Sequence, residues 1–232
     1  MEPRGYVTSI GMSLIQPLLT LVEQLTAWEV ALPNDVQTSA RENGYAAAII
    51  VLAVMLLESA FNRTAYMRQD SARRDPAEYF QQVSDAHGFP VAIAQDIAEA
   101  LDEVYSVRDV IVHNHIWEVE TIWPNDGSPP YFTNHPTLLT GYGDKRFRRV
   151  REGDFLFTRR SRLNLFPSRI FRRDALMVLK TVWRVLQALE SMDRRYWPIS
   201  GKSFVFGEPP QLLTFPEILA ELDTRWNFGT GG

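Results

Sequence analysis

The sequence predicts an all-α protein, a helical bundle with a loop and β-hairpin insertion before its last long helix. Three observations carry this prediction. Apolar residues recur at helical spacing in four segments. One stretch, 120–144, breaks that pattern with turn-forming residues. The chain has no cysteine, so no disulfide framework, zinc ribbon or iron–sulfur cluster stands in for a core. With 232 residues and 45% hydrophobic composition, a chain of this size buries roughly 70% of its unfolded surface. One domain over 1–232 is the simplest reading, with 120–167 as an insertion and 227–232 as a poorly ordered tail.

Each element has its own signal. Ser13 to Leu32 carries Leu14, Leu18, Leu21, Val22 and Leu25 at helical spacing and stops at Pro33. Thr38 or Ser39 caps the next helix, which runs to about Arg68. Its centre, Ala46–Leu57, is apolar on most sides, as expected for a helix in the middle of a bundle. As a helix those 12 residues reach about 18 Å, short of a bilayer core of about 30 Å. The start of the chain lacks a basic n-region and a cleavage site. No membrane association is expected, and the missing cysteines fit a cytoplasmic location.

Asp75-Pro76 opens a short helix to about His87, and Gly88-Phe89-Pro90 ends it. From Pro90, the residues Val91, Ile93, Ile97, Leu101 and Val104 predict a helix continuing through Arg108 towards Trp117. Its acids, Asp96, Glu99, Asp102 and Glu103, read as a solvated face. Residues 120–144 contain Pro124, Asp126-Gly127, Pro129-Pro130 and Pro136 and read as a long loop. Glu152-Gly153-Asp154 between β-prone residues predicts a hairpin from Phe147 to Phe157. Asn164 to Ser168 is a turn, with Ser168 as an N-cap. Phe171 to Met192 is an amphipathic helix with Leu176, Leu179, Val182, Trp183, Leu186 and Leu189 as its stripe. A short helix from Pro216 to Trp226 closes the chain.

The formal net charge of −4 hides a strong asymmetry. Lys145 to Arg173 holds 11 basic residues and two acids, hence +9, which leaves −13 for the rest. Ten of the 11 are arginines, the side chain suited to bidentate phosphate contacts and to stacking. Arg146, Arg148, Arg149, Arg151, Arg159, Arg160 and Arg162 are the candidate nucleic-acid contacts. Phe147, Phe155, Phe157 and Phe171 are candidate stacking platforms. The alternatives are that the run pairs with the acidic remainder of the chain or with an acidic partner protein, and that the aromatics are core.

The four histidines are His87, His113, His115 and His135. Two of them fall in Arg108-Asp109-Val-Ile-Val-His113-Asn114-His115, just before the insertion. On a regular helix Asp109 and His113 stand at the i,i+4 spacing, and Arg108 and His115 share a face. A carboxylate at that spacing orients an imidazole. RNA is cut when its 2′-hydroxyl attacks the adjacent phosphorus. That reaction needs a group to move protons, which histidine supplies near neutral pH, and a cation to hold the phosphate oxygens, which arginine supplies. His113 is therefore the candidate for proton transfer and Arg108 for phosphate binding, with Asp109, Asn114 and His115 in support.

At these residues the sequence resembles the HEPN superfamily (higher eukaryotes and prokaryotes nucleotide-binding domains), helical bundles marked by an arginine with a histidine four to six positions on. Arg108 to His113 matches the shorter gap and Arg108 to His115 the longer. The resemblance covers about 10–120 and 168–195. Glu58 sits where several families carry a polar residue on the second helix. The resemblance implies a metal-independent endoribonuclease of a prokaryotic toxin or antiviral defence system, without cofactor. It also implies a homodimer whose paired motifs form one cleft, and an antitoxin or other defence protein as a further partner. Beside it stand three other readings. Arg108 and His113 cap a bundle interface; the protein is a non-catalytic module that binds nucleotide, RNA or a partner through 145–173; or His113, His115 and His135 ligate a metal.

Overall fold

The computed structural model describes residues 10–70, 75–113, 115–134, 136–140, 145–153 and 156–226. Among them are seven α-helices: α1 (Gly11–Thr26), α2 (Ala40–Arg68), α3 (Pro76–Ala86), α4 (Val91–Val112), α5 (Lys145–Val150), α6 (Arg172–Met192) and α7 (Phe215–Arg225). Six short strands pair in three separate antiparallel ladders: β1 (Ile116–Glu118) with β4 (Thr137–Thr140), β2 (Thr121–Ile122) with β3 (Tyr131–Phe132), and β5 (Ser203–Phe206) with β6 (Gln211–Thr214). The protein is mostly helical, as its periodicity predicts.

The long apolar helix is central because it is apolar on several sides. Ile49, Ile50, Val54, Leu56 and Leu57 of α2 are fully buried, and the helix packs on α1, α4 and α6. It is the one helix among the described residues long and apolar enough to cross a membrane, and half of that apolar stretch is buried inside the protein. Ser39 caps it, its hydroxyl accepting from the Glu42 N–H at 3.2 Å. Asp75 caps α3 through the Ala77 N–H, with Pro76 in the first turn.

Side-chain links set the helix directions. Arg172 at the start of α6 reaches Glu42 near the start of α2, and Arg63 near the end of α2 donates to the Arg195 carbonyl just past α6. Those two helices are parallel. Phe89 and Ile93, at the entry to α4, line a groove with Ser191 at the end of α6 and Arg194 just past it. Gly11 shows how closely α1 approaches: its N–H donates to the Ser59 hydroxyl at 3.0 Å. A Cβ there would press into the Trp197 ring, itself 1% exposed. Gly11→Ala should lower stability by about 1–3 kcal/mol through overpacking. A thermal melt matching the wild type would refute this packing account.

Several expectations are corrected. Helix α1 starts at Gly11 and ends at Thr26 rather than spanning Ser13 to Leu32; the carbonyls of Trp28 and Glu29 instead accept from Arg172. Helix α4 stops at Val112 and does not reach Trp117, since the chain turns at His115, whose N–H donates to the Val110 carbonyl, and enters β1. The long loop carries β1 to β4. The hairpin expected over 147–157 is replaced at its start by α5, a turn of arginine-rich helix held on α4. Ser168 caps nothing in α6; it lies in a 3-10 turn, and its hydroxyl donates to the Val36 carbonyl. The N-terminus of α6 is held by buried Asp174, whose carboxylate accepts from the Phe171 N–H, the Asn164 N–H and the Asn164 amide. The β5–β6 hairpin is unforeseen, although Ser203-Phe204-Val205-Phe206 alternates exposed and buried residues as a half-buried strand does. The tail from 227 lies outside the described residues.

Candidate functional site

The site forms where α4 crosses α2 and α5. Arg108 lies near the end of α4 and Glu58 two-thirds along α2. The guanidinium Nη2 donates to Glu58 Oε1 at 2.9 Å and Nη1 to Asp109 Oδ1 at 2.7 Å. His113 is the C-cap of α4, where its backbone N–H donates to the Asp109 carbonyl. Its Nε2 stands 3.9 Å from the same Oδ1, and its side chain is 44% exposed. The helical spacing of Asp109 and His113 thus places one carboxylate oxygen between the arginine and the imidazole.

The other oxygen of Asp109 faces α5. Arg146 Nη1 donates to Asp109 Oδ2 at 3.3 Å and Nη2 to Asp75 Oδ2 at 2.5 Å, while Nε lies 3.5 Å from Asp102 Oδ1. Its guanidinium stands 5.4 Å from the Tyr105 ring centroid. Arg149 Nη2 donates to both oxygens of Asp102, at 3.0 and 3.2 Å. The cluster alternates in sign from α2 to the cap of α3: Glu58, Arg108, Asp109, Arg146, then Asp75 and Asp102.

Burial and charge divide these carboxyls. Burial pushes Asp75 up, but the hydrogen bond and charge of Arg146 and the N–H groups of Ala77 and Glu78 outweigh it and hold its pKa below the usual range. Burial raises Asp102, and the negative charge of Asp75 adds to it against the pull of Arg149 and Arg146. On α4's outer face, hydrogen bonds from Arg160 and Arg184 hold Asp96 low. Asp75 and Asp96, with depressed folded-state pKa values, stabilise fully above the ordinary value of about 3.9 and lose that contribution as pH falls through their folded-state values. Asp102 and buried Asp174, both raised, work oppositely and gain from mild acid. The melting temperature should therefore fall below about pH 4, and Asp75→Asn should flatten that fall. An unchanged acid limb in the variant would count against the Asp75 clamp.

The other predicted residues are divided. His115 does not share a face with Arg108: it lies beyond the helix end, 4% exposed, edge-on to Phe147 at 5.2 Å. Asn114 and His135 lie outside the described residues. His113 is the C-cap of α4 and His115 precedes β1, so the two are not paired on a strand as metal ligands. Among the described residues no group of three histidines, cysteines or acids is placed to hold a metal. Phe147 and Phe171 are buried and so are not stacking platforms; Phe157 lies under the guanidiniums of Arg162 and Arg169. Phe155 is outside the described residues.

The arginine run is largely engaged by the chain itself. Arg160 pairs with Asp96 and Glu99, Arg162 with Glu152, and Arg172 with Glu42. Arg151 donates to the Gly153 carbonyl and Arg159 to the Arg151 carbonyl. Arg148 is exposed, with no acidic partner among the described residues. The acids of 96–103 are accordingly not merely a solvated face, although the Glu99 side chain remains 52% exposed. They are the dock for the basic segment, and Glu103, 2% exposed, accepts the N–H groups of Arg160 and Ser161. Asp75, Asp102 and Tyr105 are site residues that sequence reasoning missed; the excess of acids on α4 just upstream of an excess of arginines was the available signal. Protein-family models, curated proteins and solved structures contain no match to the chain.

Proposed function

We propose that the protein is a HEPN-like, metal-independent endoribonuclease of a prokaryotic defence or toxin system, acting in the cytoplasm as a homodimer. The observation that carries this reading is the meeting of Arg108, Asp109 and exposed His113 at the end of α4, with Glu58 reaching in from α2. Two of the five guanidinium N–H donors of Arg108 bond to Glu58 and Asp109, and the side chain is 22% exposed. The remaining donors suit a phosphate oxygen. In the proposed step the 2′-oxygen forms a bond to phosphorus, the P–O5′ bond breaks, and a 2′,3′-cyclic phosphate and a 5′-hydroxyl result. His113 transfers a proton in this step, and Arg108 holds the charge on the non-bridging oxygens. Buried His115 is not placed for that task.

Apolar exposure beside the motif supports the dimer. Met55 is nearly one turn before Glu58 on α2, and Val112 one turn after Arg108 on α4. With Ile116 they are 43%, 48% and 49% exposed. Exposed Arg148 and Arg159 are the cations of the run best placed to meet RNA. They equally favour the reading as a non-catalytic binding module, which predicts salt-sensitive binding without cleavage. The test is RNA cleavage in EDTA by the wild type, Arg108→Ala and His113→Ala. Loss in both variants is expected, with cyclic phosphate on the wild-type product; equal cleavage by all three overturns the assignment.

A further inference from the structure

We propose that Arg146 is a positioning residue of this centre, holding the Asp109 carboxylate between Arg108 and His113, and is not an RNA contact. The inference rests on the ribonuclease reading and gives the arginine-rich segment a part in it. Arg146 is only 12% exposed, and its guanidinium faces three carboxylates from two elements: Asp75 at the cap of α3 and Asp102 and Asp109 on α4. A guanidinium so occupied has little left for phosphate. Its flat fork suits holding a carboxylate at a set angle, which a lysine's point charge does not.

Asp109 is the residue that needs such a hold. Its Oδ1 already takes Arg108 and faces His113, so a turn about its side-chain bond would move both contacts. Arg146 occupies Oδ2 and removes that freedom. It is delivered by α5, at the end of the 116–140 ladders. Those ladders are anchored by Trp117 and Phe132, each edge-on to buried Phe166 at 5.8 and 5.6 Å. The insertion thus brings to the bundle a cation that helices α1 to α4 do not supply. Among the described residues, the charged and titratable groups facing Arg146 include Asp75, Asp102, Tyr105, Asp109 and, across Asp102, Arg149.

The experiment compares RNA cleavage by full-length wild type, Arg146→Ala and Arg146→Lys at several salt concentrations. Positioning predicts a fall in kcat on the order of 10- to 100-fold, as for a displaced catalytic group, with KM within about twofold and an unchanged salt slope. Lysine should not restore the rate. A rise in KM with a salt slope smaller by about one would make Arg146 an RNA contact and overturn the proposal, as would an unchanged kcat. If Arg146→Ala does not fold, Asp75→Asn removes one of its anchors alone and should show a smaller fall in kcat; full activity in that folded variant overturns the proposal. A wild type that does not cut RNA defeats the ribonuclease reading by itself. The positioning role is then read from the NMR signals of the His113 ring and the Arg108 Nε–H in Asp75→Asn, where movement supports it and identical signals overturn it.

Discussion

Arg108→Ala is expected to cut the rate of RNA cleavage on the order of 10²- to 10³-fold, the cost of removing a preorganised donor to a developing oxyanion. The effect has two parts. The phosphate would lose its cation, and the carboxylates of Glu58 and Asp109, now without their shared partner at 2.9 and 2.7 Å, would repel it. His113→Ala should cost on the order of 10²- to 10⁴-fold, the range for a general acid or base. The double variant should lose far less than the product of the two, because both groups act on one transition state. Single-turnover cleavage of a labelled RNA in EDTA measures all three rates. Strict multiplicativity, or a residual rate above a tenth of wild type in either single variant, would show that the pair does not act as one centre.

The largest effect on stability should come from Arg172. Its side chain is 1% exposed and that of Glu42 2%. Its N–H and Nε both donate to Glu42 Oε1 at 2.9 and 2.8 Å, and Nη2 donates to Oε2 at 2.6 Å. The remaining donors take the carbonyls of Trp28 and Glu29, and the guanidinium stands 5.7 Å from the Trp226 ring centroid. One side chain therefore ties together the loop after α1, the start of α2, the start of α6 and the end of α7. Arg172→Ala leaves a buried carboxylate without its partner, which costs about 3–5 kcal/mol. Against a total of about 5–15 kcal/mol for a folded protein, that is a large share of the stability. Replacing the pair together, Arg172→Met with Glu42→Leu, should recover most of the loss, because no charge is then buried alone. Urea denaturation tests both statements. A single variant within about 1 kcal/mol of wild type would mean that water reaches Glu42 and the site is not sealed.

The contrast between these two sites shows what can be read without a structure. Asp109 and His113 are on one helix, and a period of about 3.6 residues is enough to bring them together. Arg108 and Glu58 are 50 positions apart; Glu58 was singled out by family resemblance, and no spacing pointed to its contact with Arg108. Arg172 and Glu42, 130 positions apart, carried no local signal. The same holds for Arg146, which in sequence is one arginine among many. What distinguishes it is a site lined by Asp75, Asp102 and Asp109.

Local information went furthest where the determinant is local. The caps Ser39 and Asp75, the break at Gly88-Phe89-Pro90 and the apolar centre of α2 set helix positions through backbone hydrogen bonds and side-chain periodicity, which act within a few residues. It went astray where the chain has competing local preferences. The β-branched run at the end of α4 suits helix or strand, and α4 ends at Val112 before the chain enters β1. The arginine-rich 145–150 looks strand-like in isolation and becomes helix when docked on an acidic helix face. From its sequence by itself, the protein is a largely helical chain with a buried central helix, a basic segment, and a carboxylate and imidazole one helical turn apart. Tertiary structure alone decided that Arg146, Arg149 and Arg160 of the basic segment pair with acids of α4, that His113 is exposed while His115 is buried, and that Arg146 faces inward. Coulomb attraction and burial act between residues near in space, and that proximity is created only when the helices pack.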